Sequence, residues 1–359
     1  MVGIANQGGR MRTIVSVQAL RAIAALAVVI CHFDELNAWL AGLKDPYPLD
    51  QLASGVDLFF VISGFVMVYA SQDLFEARGG WLTFFTRRIA RIVPPYWLVT
   101  AIAIPVMSLP SDWGSLLGSY LFFPFRADGG NIAPVYGVGW TLNFEMYFYI
   151  LFSAAIFLCR NAAVPALCAL LGTIVLLGHW LQPVWAPLQF WSDPIILEFV
   201  FGMALALLYI NGVRLAVPIR VGLVVVGIAA IGFFETRMPP SGFRVVEWGL
   251  PAAMIFAGTV LGRDINFGWL RVPLQALGNA SYALYLTHPL MTAAVLIGWP
   301  LGLNRYPKML VLFLAVVAVQ LISIAIYYLF EKRSSKFLQM ALLSTSEQRL
   351  PRNCGCRLP

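Results

Sequence analysis

Charge is what this sequence has least of. Only 11% of its 359 residues are Asp, Glu, Lys or Arg, against about 25% in an average soluble domain. Hydrophobic residues make up 60% and the mean hydropathy is +0.79. A water-soluble enzyme is excluded, and an integral membrane protein is left. Polar stretches are short as well: none runs beyond about 30 residues, so no separate soluble catalytic domain is expected and any chemistry must take place in the membrane. Cysteine is sparse, at five. Cys31, Cys159 and Cys168 lie in or beside apolar stretches and read as small hydrophobic residues. Cys354 and Cys356 form an isolated C-x-C in a polar tail, too little for a metal site. No small-residue cleavage site follows the first apolar stretch, so no removable signal peptide is expected. No internal repeat is evident.

What is present is a series of apolar segments. They fall at 15–33, 54–71, 94–110, 137–158, 163–180, 190–210, 217–234, 245–262, 275–298 and 309–330, each close to the roughly 20 residues that cross a bilayer as helix. The pattern predicts an all-α, polytopic membrane bundle of about ten transmembrane helices. It forms one membrane domain over 1–336, with a loosely ordered tail at 337–359. Basic residues set the orientation. With Arg10 and Arg12 in the cytoplasm, the outer segments hold only Lys44, Arg126, Arg237, Arg244, Arg305 and Lys308 of the 24 Lys and Arg. An even number of spans returns the C-terminus to the cytoplasm. The net charge of +7 is then a topology signal, and no nucleic-acid partner is expected.

The costly residues inside the spans carry the functional information. "RAIAALAVVICH" places Arg21 and His32 in one apolar helix, although a charge at mid-bilayer costs at least ~3 kcal/mol. Eleven residues make about three turns plus 20°, so the two share a face and stand roughly 16 Å apart along it. Counting residues from the span ends puts Asp57, Glu145, Glu198, Glu247, His32 and His288 at one outer depth, with Arg21 alone deep on the cytoplasmic side. Each has a bland reading too. His32 and Glu247 fit interfacial positions, as His179 does better than any functional one. Asp57 fits a helix N-cap. Glu145 with Asn143 and Tyr149 fits an interhelical hydrogen-bond cluster.

A second constellation is "WLTFFTRRIARIVPPYW". Trp81, Phe85, Ile89 and Ile92 at helical spacing, with Arg87, Arg88 and Arg91 among them, predict an amphipathic helix on the cytoplasmic surface that ends where Pro94 and Pro95 begin the third span. Three arginines there serve either as a topology anchor or as a polyanion site, since guanidinium forks match phosphate oxygens.

At these residues the chain resembles the acyltransferase 3 family of integral membrane acyltransferases. "LRAIAALAVVICH" has the family's Arg-x10-His. "GVDLFFVISGFVM", "FFTRRIARIVPPYW", "VGWTLNFEMYFY", "LGNASYALYLTHP" and "YYLFEKRSSKF" resemble its further motifs, in order along nearly the whole chain. Arg333 stands where the family usually closes with proline. Lacking an appended esterase-like domain, the chain is most similar to the exopolysaccharide-modifying members, which implies a bacterial-type inner membrane. The resemblance implies O-acyl transfer, most often of acetyl, from a cytosolic acyl-coenzyme A co-substrate to a sugar hydroxyl of a polysaccharide or its lipid-linked precursor. No bound cofactor and no metal are expected, and the partners are acyl-coenzyme A, a glycan acceptor and membrane lipids.

The residues suit that chemistry. Coenzyme A is a polyanion with a long arm. Its phosphates would rest near Arg87, Arg88, Arg91 and Arg21, with the thioester at His32. A histidine can take the proton of an attacking hydroxyl, and Glu145 would orient it as the acid does in a triad. Asp57, Ser63, Asn143, Tyr149, Tyr285 and His288 are candidates for oxyanion or acceptor contacts. "VISGF" lacks the flanking glycines of a nucleophile elbow, which disfavours an acyl-enzyme on Ser63. Two readings from other classes compete: a proton-coupled exporter, which buried His, Glu and Arg would serve equally, and a non-catalytic subunit of a polysaccharide assembly complex. The missing repeat weighs against the exporter.

Overall fold

The computed structural model describes residues 13–42, 49–110, 112–127, 129–233, 241–263 and 265–343, excepting the side chains of 241 and 242. Arg10, Arg12, Lys44, Arg237, Cys354 and Cys356 lie outside the described residues. The architecture is all-helical. Among the described residues only an isolated bridge, Arg126 to Ile132, breaks the pattern.

The helices are α1 (Val15–Leu40), α2 (Gly55–Ala70), α3 (Gly80–Met107), α4 (Trp113–Tyr120), α5 (Trp140–Ala155), α6 (Arg160–Leu181) and α7 (Ala186–Trp191). They continue as α8 (Leu197–Ile210), α9 (Val217–Phe233), α10 (Ser241–Arg244), α11 (Leu250–Val260), α12 (Arg271–Gly298), α13 (Lys308–Ile326) and α14 (Lys332–Leu343). Six are long and apolar enough to cross a membrane, once the turns continuous with α2, α12 and α13 are counted, and Pro194–Ile210, Val217–Phe233 and Val245–Val260 are shorter apolar helices. With α5, every apolar segment of the sequence coincides with a helix.

In lipid no hydrophobic force draws apolar helices together, so close packing and polar ties must do so. Small residues allow the close approach. α2 packs most extensively on α8, α1 on α12 and α9 on α11. At the α2–α8 crossing a β-carbon on Gly64 would strike the Phe199 backbone, and one on Gly202 the Val61 carbonyl. Behind this crossing Phe60 and Phe148 stack on Phe199, with ring centroids 4.8 and 4.4 Å apart. The outward residues are apolar instead: Leu176, Val221 and Phe313 are all exposed on the bundle surface.

Two departures from the sequence reading affect the site. First, no separate surface helix precedes the third span: α3 runs unbroken from Gly80 through Pro94 and Pro95. The prolines remove only the donors owed to the Ala90 and Arg91 carbonyls, and neighbouring helices tolerate such gaps. At the next residue, Tyr282 Oη donates to the Ile92 carbonyl at 2.8 Å. The arginines therefore belong to a spanning helix. Second, α13 passes through a π-helical turn at Tyr327–Glu331 straight into α14, which stays helical to Leu343. Helix thus covers the first seven residues of the segment expected as tail.

Candidate functional site

The centre of the bundle holds a cavity of about 90 Å³ between α1, α2, α3, α5 and α12. Arg21, Arg88, Arg91 and Glu145 give it charge; Ser63, Tyr149, Ser281 and Tyr285 give it hydroxyls. Arg21 reaches across from α1 to α12, donating through Nε and Nη2 to Ser281 Oγ at 3.3 and 3.1 Å. Tyr149 Oη donates to Glu145 Oε2 at 2.7 Å. This bond lies within α5, four residues apart, so it is not the interhelical cluster that a purely structural role would need. Glu145 interacts electrostatically with Arg21, Arg91 and Arg88.

Glu145 therefore belongs to the arginine level, deeper than residue counting placed it. Counting from span ends ignores the tilt and stagger of helices against their neighbours. Nor does Glu145 meet His32, since its hydrogen bond is to Tyr149. The orienting partner of His32 is its own helix: Nδ1 lies 2.9 Å from the Val28 carbonyl. A carbonyl only accepts, so Nδ1 is the donor in this contact. Glu35, one turn further along α1, interacts electrostatically with His32; the sequence reading did not single it out. Its spacing of three from His32 was the available signal.

His288 is fully buried on α12, and its ring packs edge-on against His32 with centroids 4.8 Å apart. Its Nδ1 faces the Leu284 carbonyl at 3.3 Å, and its Nε2 is buried without a partner. With Nδ1 of each turned to its own helix, Nε2 is the ring nitrogen each histidine has for another partner. Such a pair suits a hydroxyl proton arriving between them, and makes His288 in this tautomer an acceptor contact, not an oxyanion donor. Tyr285 connects the cavity to this pair, its ring 5.8 Å from His288. Its hydroxyl accepts from Thr141 and donates to the Val138 carbonyl, each at 3.2 Å.

Asp57 and Asn143 do not line the cavity. Asn143 is buried with Oδ1 unpaired. Asp57 is no N-cap: it is fully buried and accepts a fork–fork pair from Arg244, Nε to Oδ1 at 2.9 Å and Nη2 to Oδ2 at 2.8 Å. Arg244 lies over Trp140 and Trp248, 5.6 and 4.9 Å from their centroids. Glu198 is buried beside the pair and interacts with both members. Sequence reading had counted Arg244 as an outer-loop charge. Only the fold shows it turned inward, just before the π-helical turn Val245–Gly249.

At the arginine end the cavity shares Arg88 and Arg91 with a wider groove of about 370 Å³, whose other wall is α14. Arg91 Nε sits 3.7 Å from Glu331 Oε1, and the Arg88 guanidinium lies over Phe84 at 5.5 Å. Around the cavity three guanidinium groups face two carboxylates, Glu145 and Glu331. The excess is positive.

Comparison with known proteins agrees with this picture. Residues 14–328 match the acyltransferase 3 family, described as an acyltransferase domain. The chain is 34% identical over 291 residues to the exopolysaccharide production protein ExoZ of Rhizobium meliloti (strain 1021), covering 78% of this chain and 88% of that protein. It is 26% identical over 310 residues to the acyltransferase MdmB of Streptomyces mycarofaciens, covering 76% of this chain and 77% of that one. No solved structure matches. A polytopic helical bundle with charged and histidine groups in its interior, matched over most of its length, belongs to the acyltransferase 3 family of membrane acyltransferases.

Proposed function

We propose that this acyltransferase moves an acetyl or other short acyl group from acyl-coenzyme A to a sugar hydroxyl of a surface polysaccharide or its lipid-linked precursor. The observation that carries the reading is adjacency: a basic groove shares Arg88 and Arg91 with a narrow cavity, and Tyr285 on that cavity's wall stands 5.8 Å from His288 of the histidine pair. A nucleotide polyanion suits the groove, and a thin, unbranched pantetheine arm suits the cavity. The arm must span the roughly 16 Å from Arg21 to His32. The relative named for exopolysaccharide production favours a glycan acceptor.

In this reading the acceptor oxygen attacks the thioester carbonyl carbon while His32 Nε2 takes its proton. The C–O bond forms, the C–S bond breaks, and the departing thiolate takes up the proton from the imidazolium. Glu35 stabilises that imidazolium from one turn away. Glu145 instead holds the arginine cluster in register with Arg21. Ser63, on the cavity wall beside Tyr149, is placed to donate to the oxyanion. The arginine end faces the cytoplasm of an inner membrane, where acyl-coenzyme A is found, and the histidine end faces outward. No resident cofactor or metal enters any step.

Purified protein given radiolabelled acetyl-coenzyme A and the host's lipid-linked glycan tests the reading. Label passing to the glycan supports it. Sealed vesicles that move glycan without acquiring label would instead favour an exporter.

A further inference from the structure

The closing helix α14 has two faces. Phe337 and Met340 are exposed, at 67% and 66%, and suit the lipid interface. The face beside it presents Lys332, Ser335, Lys336 and Gln339. These positions recur at three, four and seven residues, so they form one stripe along the helix. That stripe is the second wall of the groove whose first wall is Arg87, Arg88 and Arg91.

The two lysines of this groove leave charge to spare. Glu331 is its carboxylate, already engaged with Arg91. Lys332 lies over the Tyr328 ring at 5.3 Å. Lys336 is exposed and makes no ion pair among the described residues. Arg88 Nε is buried without an acceptor, which is uncommon in a finished structure and marks a place for one. Size separates the two spaces. The central cavity, about 90 Å³, is too narrow for a nucleotide. The groove, about 370 Å³, falls within the ~300–1,000 Å³ of small-molecule sites.

We propose that the α14 stripe, Lys332 and Lys336 above all, completes a phosphate site that selects the 3′-phosphorylated nucleotide of the acyl donor. The inference rests on the donor reading above and goes beyond it. It makes the last helix of the described chain part of the binding site, where sequence reading had a loose tail. It also assigns the lysines to the 3′-phosphate and leaves the arginines to the diphosphate. A lipid headgroup offers the same phosphate chemistry, so the test must separate the two.

Full-length protein in nanodiscs of neutral phosphatidylcholine should be titrated with coenzyme A, dephospho-coenzyme A and adenosine 3′,5′-bisphosphate. Wild type should bind coenzyme A at least about tenfold tighter than the dephospho form. Lys336→Gln, and more so Lys332→Gln/Lys336→Gln, should erase that preference while leaving dephospho-coenzyme A binding unchanged. Both lysines are exposed, so these variants should fold, and the unchanged dephospho affinity is the check. Tight coenzyme A binding that ignores the lysines would overturn this inference and leave the donor reading intact. Absence of binding by any of the three would overturn both. If the lysine changes matter only when phosphatidylglycerol is added, the stripe holds lipid and the assignment is wrong.

Discussion

In the proposed mechanism His32 and Glu35 divide one chemical task and Glu145 has another; single substitutions should separate them. His32→Ala removes the proton acceptor. Acyl transfer should fall about 10²–10⁴-fold in a protein that still folds and binds the donor, and near wild-type transfer would end the assignment. Glu35→Gln should cost less, about tenfold in kcat, because it acts only through charge placed near the base, with donor KM unchanged. Glu145→Gln should do the reverse, raising donor KM through disordered arginines. The Asp57–Arg244 pair is structural by contrast. Removing one partner of a buried pair leaves an uncompensated charge at a cost of about 3–5 kcal/mol. Arg244→Met should therefore lower the melting temperature in detergent more than Asp57→Leu/Arg244→Met does. Equal melting of the two variants would contradict the pairing. Of these residues His32 was legible from its spacing to Arg21, and Glu145 from its cost in a span. The partner of each was not, because partnership depends on which helices meet.

Helix packing puts those residues where they act, and α2 shows how. Ser63 faces the cavity while its neighbour Gly64 faces α8, so one dipeptide serves both the site and the crossing. Gly64→Leu should push α8 away, and with it Glu198 and the Arg244 cluster, giving little folded protein by size-exclusion. Gly222→Leu on α9, where a side chain meets open space, should fold normally and is the control. The ten apolar segments were readable because span length and composition are local properties. What escaped was continuity: α3 passing through two prolines, and α13 bending through a π-turn into α14. Both depend on tertiary partners that accept the altered backbone. The π-turns lie beside Glu331 and Arg244, charged groups each bonded to another helix.

Across the whole molecule the account requires an axis, with donor entering at the arginine end and acceptor meeting the histidines at the other. Cysteines placed at Arg78 and at Gly129 should differ in labelling from outside, only Gly129 reacting in intact cells. Equal reactivity would undo the orientation. The basic residues of the sequence suggest this axis but not its path, because the cavity's walls come from five separate helices. Sidedness of transfer is the most direct measurement. Sealed inside-out and right-side-out membrane vesicles should be given membrane-impermeant radiolabelled acetyl-coenzyme A, with wild-type protein or His32→Ala. The account predicts labelled glycan in inside-out vesicles with wild type alone. Label appearing in sealed right-side-out vesicles, or undiminished with His32→Ala, would contradict it.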